Sequence, residues 1–544
     1  MTSPKFYADL HCHPSLYSYN RMSRTELEHD PSRFHLWHPQ PENTQHMRQA
    51  KRAQTYAQSD MAKMVSGRYK IVMASITPLE KGFLVPSQKT ARNASTELIK
   101  LATGTTIARS GLAMLKKDRH TALNEALAIL RNEGPIRQAV QQRILNYDPR
   151  RISFLMSDQY DYWEDFLHEY DYFCRKNGTL TTTHSPAVGS VTGRYTICDK
   201  LEQLEDITQD KEDKELLVVM TIEGAHTFTM DVHDNRRPED EIFERIDYLK
   251  DLDTPIFFLT LAHHFDNGIC GHAHSMPDVV SVLSDQSHRM GEGFETENNL
   301  GRRVVQRLLA LDDDLKDTGE NRILIDCKHM SAQSRKEYYA DIIEPANETL
   351  KKQRKPPIPV IFSHAAYSGV RSLDAMIRDQ HKEDDHWKIG PYYAWTLHCS
   401  DEDILMILKT KGLFGVCFDQ RVAGISNNQT IHPEQVHHIL FQQILGAVDV
   451  AMANDDLSTK EKRAIWDCIC LGTDFDGLID PVDNYPTALD LDKFSEDLYN
   501  NLEEISHTRM IGKIGVQEIV EKIAWKNIYN FTEKHLPRAF KQDK

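Results

Sequence analysis

Two histidines one residue apart, His11 and His13 in "ADLHCHPSL", follow a short apolar run at the start of a chain of 544 residues that carries 26 histidines. In a strand, residues i and i+2 share a face, so both imidazoles can point one way while Cys12 points the other. Two imidazoles so placed can grip one metal ion. Five more residues able to bind metal or move a proton stand at the ends of later apolar runs: Glu223, His263, His329, His364 and Asp474. A single strand-end histidine is commonly structural, and a single aspartate before "FDG" is commonly a turn residue. Seven such residues in equivalent places read as one site. Glu223 is the natural carboxylate bridge between an ion on His11 and His13 and a second ion on His329 and His364. Imidazole and carboxylate ligands suit zinc, with manganese, iron and cobalt as the alternatives.

The runs that carry these residues are "FYADLH", "YKIVMASITP", "LLVVMTIEGA", "PIFFLTLAHH", "RILIDCKHMS", "PVIFSHAA", "GLFGVCFDQ" and "CICLGTDFDG". Near-continuous apolar strands separated by helix-length segments are what a fully buried parallel sheet requires, and eight of them predict an α/β fold, a (β/α)8 TIM barrel. The candidate residues then fall at the C-terminal strand ends, where barrel sites are built. Among the spacers, "QSDMAKMVSG" reads as a helix with a glycine stop, and "SDEDILMILKTKG" as a helix with Ser400 as N-cap and Gly412 past its end. Two segments exceed what a barrel loop needs. Residues 79–215 are expected to be a mainly helical insertion that includes the aromatic-rich "DQYDYWEDFLHEYDYFC", and residues 371–396 an additional active-site loop. The expected organisation is one barrel over residues 1–544.

A formal charge of −16 repels a phosphate backbone, so nucleic acid is not an expected partner. No run of 18 apolar residues is present, the start "MTSPKFYADL" lacks the pattern of a secretion signal, and "HLPRAFKQDK" is too polar for a lipid-anchor signal. The expectation is a soluble, cytoplasmic protein with no membrane partner, and a homodimer is left open. Nine cysteines, without finger spacing, fit reduced core thiols.

The motifs "IEGAH", "LTLAHH", "IDCKHMS", "IFSHAA" and "GTDFDG", in this order at these strand ends, resemble the membrane (renal) dipeptidase family of the amidohydrolase superfamily. The resemblance runs from about residue 6 to about residue 480. It implies His11 and His13 as ligands of a first metal, Glu223 as bridge, and His329 and His364 as ligands of a second metal. It further implies His263 as a substrate contact and Asp474 as the catalytic acid/base. Two departures stand out. The family's first motif is normally His-x-Asp where this chain has His-x-His, which removes one negative charge from the ligand set and favours anionic substrate. The family also carries an arginine, after the sixth strand, that holds the dipeptide carboxylate. Here Leu397 and His398 fill those places, and Arg371, Arg378 and Lys388 in the extra segment are the candidate replacements for substrate binding.

The expected function is a dinuclear metal-dependent hydrolase of small amides, dipeptidase-like, in which the ions activate a water and Asp474 carries its proton. The alternatives are a cyclic amide, lactone or other non-peptide ester as substrate, and a metal-binding protein without catalysis, against which the retained Asp474 argues. Of the remaining histidines, His264, His272 and His274 read as pocket-lining or solvent-facing, and His226 as a hydrogen-bond partner behind the ligands. Trp37 in "HLWHPQP" reads as a packed loop residue. Lys328, between Cys327 and His329, reads as barrel exterior by strand alternation.

Overall fold

The computed structural model describes residues 3–20, 35–38, 56–84, 147–209, 214–231, 235–276, 285–381, 388–424 and 433–540. All eight expected strands form: β1 (Tyr7–Cys12), β2 (Tyr69–Ile76), β3 (Glu215–Glu223), β4 (Ile256–Thr260), β5 (Leu324–Asp326), β6 (Ile361–Ala365), β7 (Leu413–Val416) and β8 (Ile469–Leu471). They hydrogen-bond in that sequential order, and every pair is parallel. The ring closes at the C-terminal end, where Cys12 and Phe475 form a parallel bridge, His13 N donates to Phe475 O at 2.9 Å and Asp474 N donates to His11 O at 2.9 Å. The fold is therefore a nearly closed (β/α)8 barrel, and its closing bonds set Asp474 beside His11.

Two buried carboxylates stitch the interior. Asp9 accepts from His11 N, from Thr473 N and, at 2.6 Å, from Thr473 Oγ1, which ties β1 to the turn after β8. Asp326 accepts from Thr260 Oγ1 and Ser363 Oγ, both at 2.6 Å, and from the main-chain N–H groups of Ser363 and Lys328, which ties β4, β5 and β6 together. The register of β6 against β7 shifts between Phe414 and Val416. At that irregularity the Ser363 carbonyl projects into space left by two glycines: a Cβ on Gly415 or on Gly472 would meet Ser363 O at 1.9 Å.

Helix ends follow the sequence signals. Met61–Ser66 is capped by the Asp60 side chain and stops at Gly67. Asp401–Thr410 has the Ser400 capping box with Asp403, and Gly412 N returns to Ile407 O at 2.9 Å. Within 79–215 the helical stretch centred on residues 89–134 lies outside the described residues. The described part holds the helices Pro149–Leu155, Tyr162–Cys174 and Glu202–Gln209. It also holds an antiparallel pair, Thr181–Ser185 with Gly189–Ile197, whose second strand extends the sheet beside β3. This part is thus not helical alone. The threonine and valine alternation of 181–197 suits a half-exposed ribbon, and the burial pattern alternates accordingly.

Tyr160, Tyr162, Ile152 and Leu155 pack with Leu16, Leu79 and Met230 in a cluster separate from the main core. Tyr160 Oη donates to Leu79 O and Lys81 N donates to Tyr162 Oη, both at 2.9 Å, so the insertion fixes the loop that follows β2. Trp37 is buried in the main core, as a packed residue. All nine cysteines are free and all but Cys174 are buried. Among the described residues no helix is long and apolar enough to cross a membrane.

Candidate metal centre and active site

Glu223, the last residue of β3, is the hub of the C-terminal mouth. Its Oε1 lies 3.4 Å from His11 Nε2, 3.6 Å from His329 Nε2 and 3.5 Å from His364 Nε2. Its Oε2 lies 3.2 Å from His13 Nε2 and 3.4 Å from His263 Nε2. Asp474 faces the same cluster, 3.8 Å from His11, 3.7 Å from His13 and 3.9 Å from His364. The structure therefore brings together all seven residues singled out from the strand ends, drawn from β1, β3, β4, β5, β6 and β8.

Tautomers follow from what each ring touches. His13 Nδ1 faces Ser75 O at 3.0 Å, and a carbonyl only accepts, so the proton sits on Nδ1 and the Nε2 lone pair is free. His364 Nδ1 faces Ser363 Oγ at 2.9 Å, and that hydroxyl already donates to Asp326, so it accepts from His364 and again leaves Nε2 bare. His11 Nε2 and His13 Nε2 are 3.1 Å apart. Burial lowers the pKa of His11, His329 and His364, which keeps them neutral. Several lone pairs and one carboxylate thus converge with too few protons between them, an arrangement that suits cations. Groups such as His11, Glu223 and His364, or His11, His13 and Asp474, hold their ligand atoms within 4.8 Å of one another.

Burial would raise the Glu223 pKa, but the charge on His263 outweighs it and holds it well below the usual range. Asp474 goes the other way: burial and then the neighbouring Glu223 charge push it well above the usual carboxylate range. Both Asp474 (φ 59) and His329 (φ 65) adopt left-handed backbone, which costs a non-glycine residue about 1 kcal/mol or more and is held by the bonds of Asp474 N to His11 O and Ala273 N to His329 O.

Glu80 is a residue that strand-end reasoning missed. It lies four residues beyond β2, and its carboxylate meets His263 Nδ1 at 2.5 Å while accepting from Phe265 N at 3.1 Å. Burial lowers an imidazole pKa, but Glu80 and Glu223 outweigh it and hold His263 up at about 10. Burial raises Glu80, but His263 and His226 bring it down to about 2. His226 donates to Pro78 O at 2.9 Å and so braces the Glu80 loop. His264 lines the cavity and pairs with Ser275 Oγ at 2.7 Å. His272 is buried between the carbonyls of Ala273 and His288, and His274 packs edge-on to Trp395.

Lys328 corrects the expectation from strand alternation. β5 ends at Asp326, so alternation no longer governs position 328, and the side chain lines the cavity with His329, His364 and Asp474. The candidate carboxylate holders do not reach it. Arg371, just before the surface helix Leu373–Asp379, and Arg378, in its last turn, are exposed and outside the cavity lining, and Arg378 pairs with Asp379 at 2.8 Å. Lys388 is exposed over the Tyr393 ring. From the extra segment it is Trp395 that forms cavity wall, with Leu397 just beyond; from the base of 79–215 it is Leu79, Glu80 and Phe83.

Fold and site together define a (β/α)8 barrel with a histidine and carboxylate cluster, suited to metal, at its C-terminal mouth. No protein-family model and no curated protein matches the chain. Among solved structures it is similar to a metallo peptidase from Rhodobacter sphaeroides liganded with a phosphinate mimic of the dipeptide L-Ala-D-Ala, at 13% identity over 98% of this chain and 100% of that chain, with a TM-score of 0.45. It is also similar to dipeptidase AC, a metallo peptidase, at 12% identity over 91% and 97% with a TM-score of 0.43. A third is an amidohydrolase from Pseudomonas aeruginosa, at 14% identity over 62% and 78% with a TM-score of 0.34. What the site can do follows from its own side chains.

Proposed function

We propose that this protein is a hydrolase of small amides that depends on divalent metal, and that Glu223 with the histidines around it would hold two zinc ions. The observation that carries the reading is the Glu223 carboxylate set among the Nε2 atoms of His11, His13, His329 and His364, with Asp474 opposite. His11 and His13 would hold one ion and His329 and His364 the other; when bound, such ions polarise a carbonyl and lower the pKa of water from 15.7 to about 7.

The chain's own residues supply the rest. Asp474, facing the same cluster as Glu223, takes the proton of the attacking water and returns it to the leaving nitrogen. His263, kept protonated by Glu80, donates from Nε2 to the carbonyl oxygen as negative charge builds there. Leu79, Phe83, Trp395 and Leu397 exclude bulk water from the reacting bond. A second reading, hydrolysis of a cyclic amide or lactone, is favoured by Leu397 standing where the resemblance would place an arginine. The test is a panel of dipeptides, acylated amino acids, cyclic amides and lactones offered to chelator-stripped protein reloaded with zinc, manganese or cobalt. Turnover that requires metal is expected, and turnover indifferent to chelation contradicts the reading.

A further inference from the structure

Lys328 is a lysine buried to 1% exposure inside the cavity, and among the described residues its ammonium has neither a hydrogen bond nor an ion pair. Its main-chain N–H is held by Asp326 at 3.1 Å, and the next residue, His329, takes the left-handed turn, so the side chain is anchored at its base and aimed by the barrel. A buried cation outside any ion pair is costly, and the acid whose proton affinity it lowers, Asp474, is the proton carrier, so a ligand that brings a negative charge would supply the missing partner. The two other cavity cations are not available for this, His263 being paired with Glu80. Arg421 is held by Asp419, with Nε at 3.0 Å and Nη2 at 2.7 Å, and donates to Leu478 O at 3.0 Å.

The cavity's carboxylates show the reverse pattern. Glu80 is taken by His263, Asp419 by Arg421 and Glu223 by the imidazoles, which leaves Asp474, the proton carrier. A substrate ammonium group would find no free carboxylate there, and His263 would repel it. The remaining wall is mostly apolar, with Leu16, Leu79, Phe83, Met276, Trp395 and Leu397, and its polar members His264 and Ser275 are paired with each other.

We infer that Lys328 holds the carboxylate of the substrate, and that the preferred substrate is an N-acyl amino acid, with an uncharged apolar acyl group in place of the free ammonium end of a dipeptide. This rests on the hydrolase reading for the scissile amide, while the anion site at Lys328 is carried by the cavity itself.

The experiment uses the full chain loaded with zinc and three compounds: N-hexanoyl-alanine, its C-terminal amide, and Ala-Ala. Wild type is expected to favour the acylated acid over both others by about 10- to 100-fold in kcat/KM, the range of a charge-assisted contact. In K328M the ratio of acid to amide falls to about one, through KM, with metal content retained, and K328R recovers part of it. Calorimetric titration of D474N and of D474N/K328M with the same acid reads binding without turnover, and the acid is expected to bind at least about 10-fold more weakly when Lys328 is absent. If wild type hydrolyses nothing but this binding difference holds, the anion site stands and the hydrolase reading fails. If wild type cleaves the amide or Ala-Ala as well as the acid, or if K328M loses its metal, the inference is overturned.

Discussion

At the scale of single residues, Asp474 and Glu223 are both buried carboxylates, and what separates them is their neighbours. Glu223 lies among imidazoles; Asp474 is raised by burial and by the Glu223 charge, against the pull of Lys328. On the proposed reading Asp474→Asn removes proton transfer and leaves Glu223 in place, and turnover should fall by about 100-fold or more with metal content nearly unchanged, read by steady-state kinetics beside metal analysis. Full activity in that variant would place proton transfer elsewhere. The pair of Glu80 and His263 makes a pH prediction for chelated protein. Glu80 is depressed from its ordinary 4.5 to about 2, so its contribution to stability is complete above 4.5 and is lost as pH falls toward 2. His263 is raised from 6.5 to about 10, so its contribution is complete below 6.5 and is lost as pH rises through 10. The stability gap between wild type and Glu80→Gln, about 3 kcal/mol by the usual cost of breaking a buried pair, should be widest between pH 4.5 and 6.5 and narrow on both sides. Thermal unfolding across pH checks it, and a gap constant from pH 3 to 10 would refute the pairing. The strand-end residues were legible because each follows an apolar run. Glu80 was not, since a loop glutamate carries no pattern until β4 brings His263 to it, and Lys328 was misread because alternation was carried past the end of β5.

At the scale of elements, all eight strands could be read because buried parallel strands are almost wholly apolar, and the order in which they pair then follows from right-handed crossovers. The ribbon of 181–197 hid in polar sequence, where half-exposed strands offer little hydrophobic contrast. The close approach of β6 to β7 and β8 was equally invisible, since two glycines in strands do not say which carbonyl they admit. Gly472→Ala sets a Cβ against Ser363 O, the residue before His364. It should cost about 1 to 3 kcal/mol in denaturant unfolding and weaken metal retention, because β6 must move to relieve the contact. A variant with unchanged stability and metal content would show that the strands are free to separate at this point.

At the scale of the whole molecule, a barrel closed by the bonds of Asp474 to His11 and His13 to Phe475 brings six strand ends to one mouth, and the insertion braces the Glu80 loop from outside through Tyr160 and Tyr162. Metal that binds only this assembled mouth must stabilise the fold, by about 2.7 kcal/mol at a free concentration 100 times Kd. On the proposed reading Glu223 joins two ions at one site. The most direct test is metal stoichiometry by elemental analysis after chelation, reloading with zinc and removal of excess, on wild type and on Glu223→Gln. About two equivalents per chain are expected in wild type and the loss of at least one in Glu223→Gln, the number expected when a shared ligand is removed. Wild-type protein that retains no zinc, or a Glu223→Gln variant that retains as much as wild type, would contradict it.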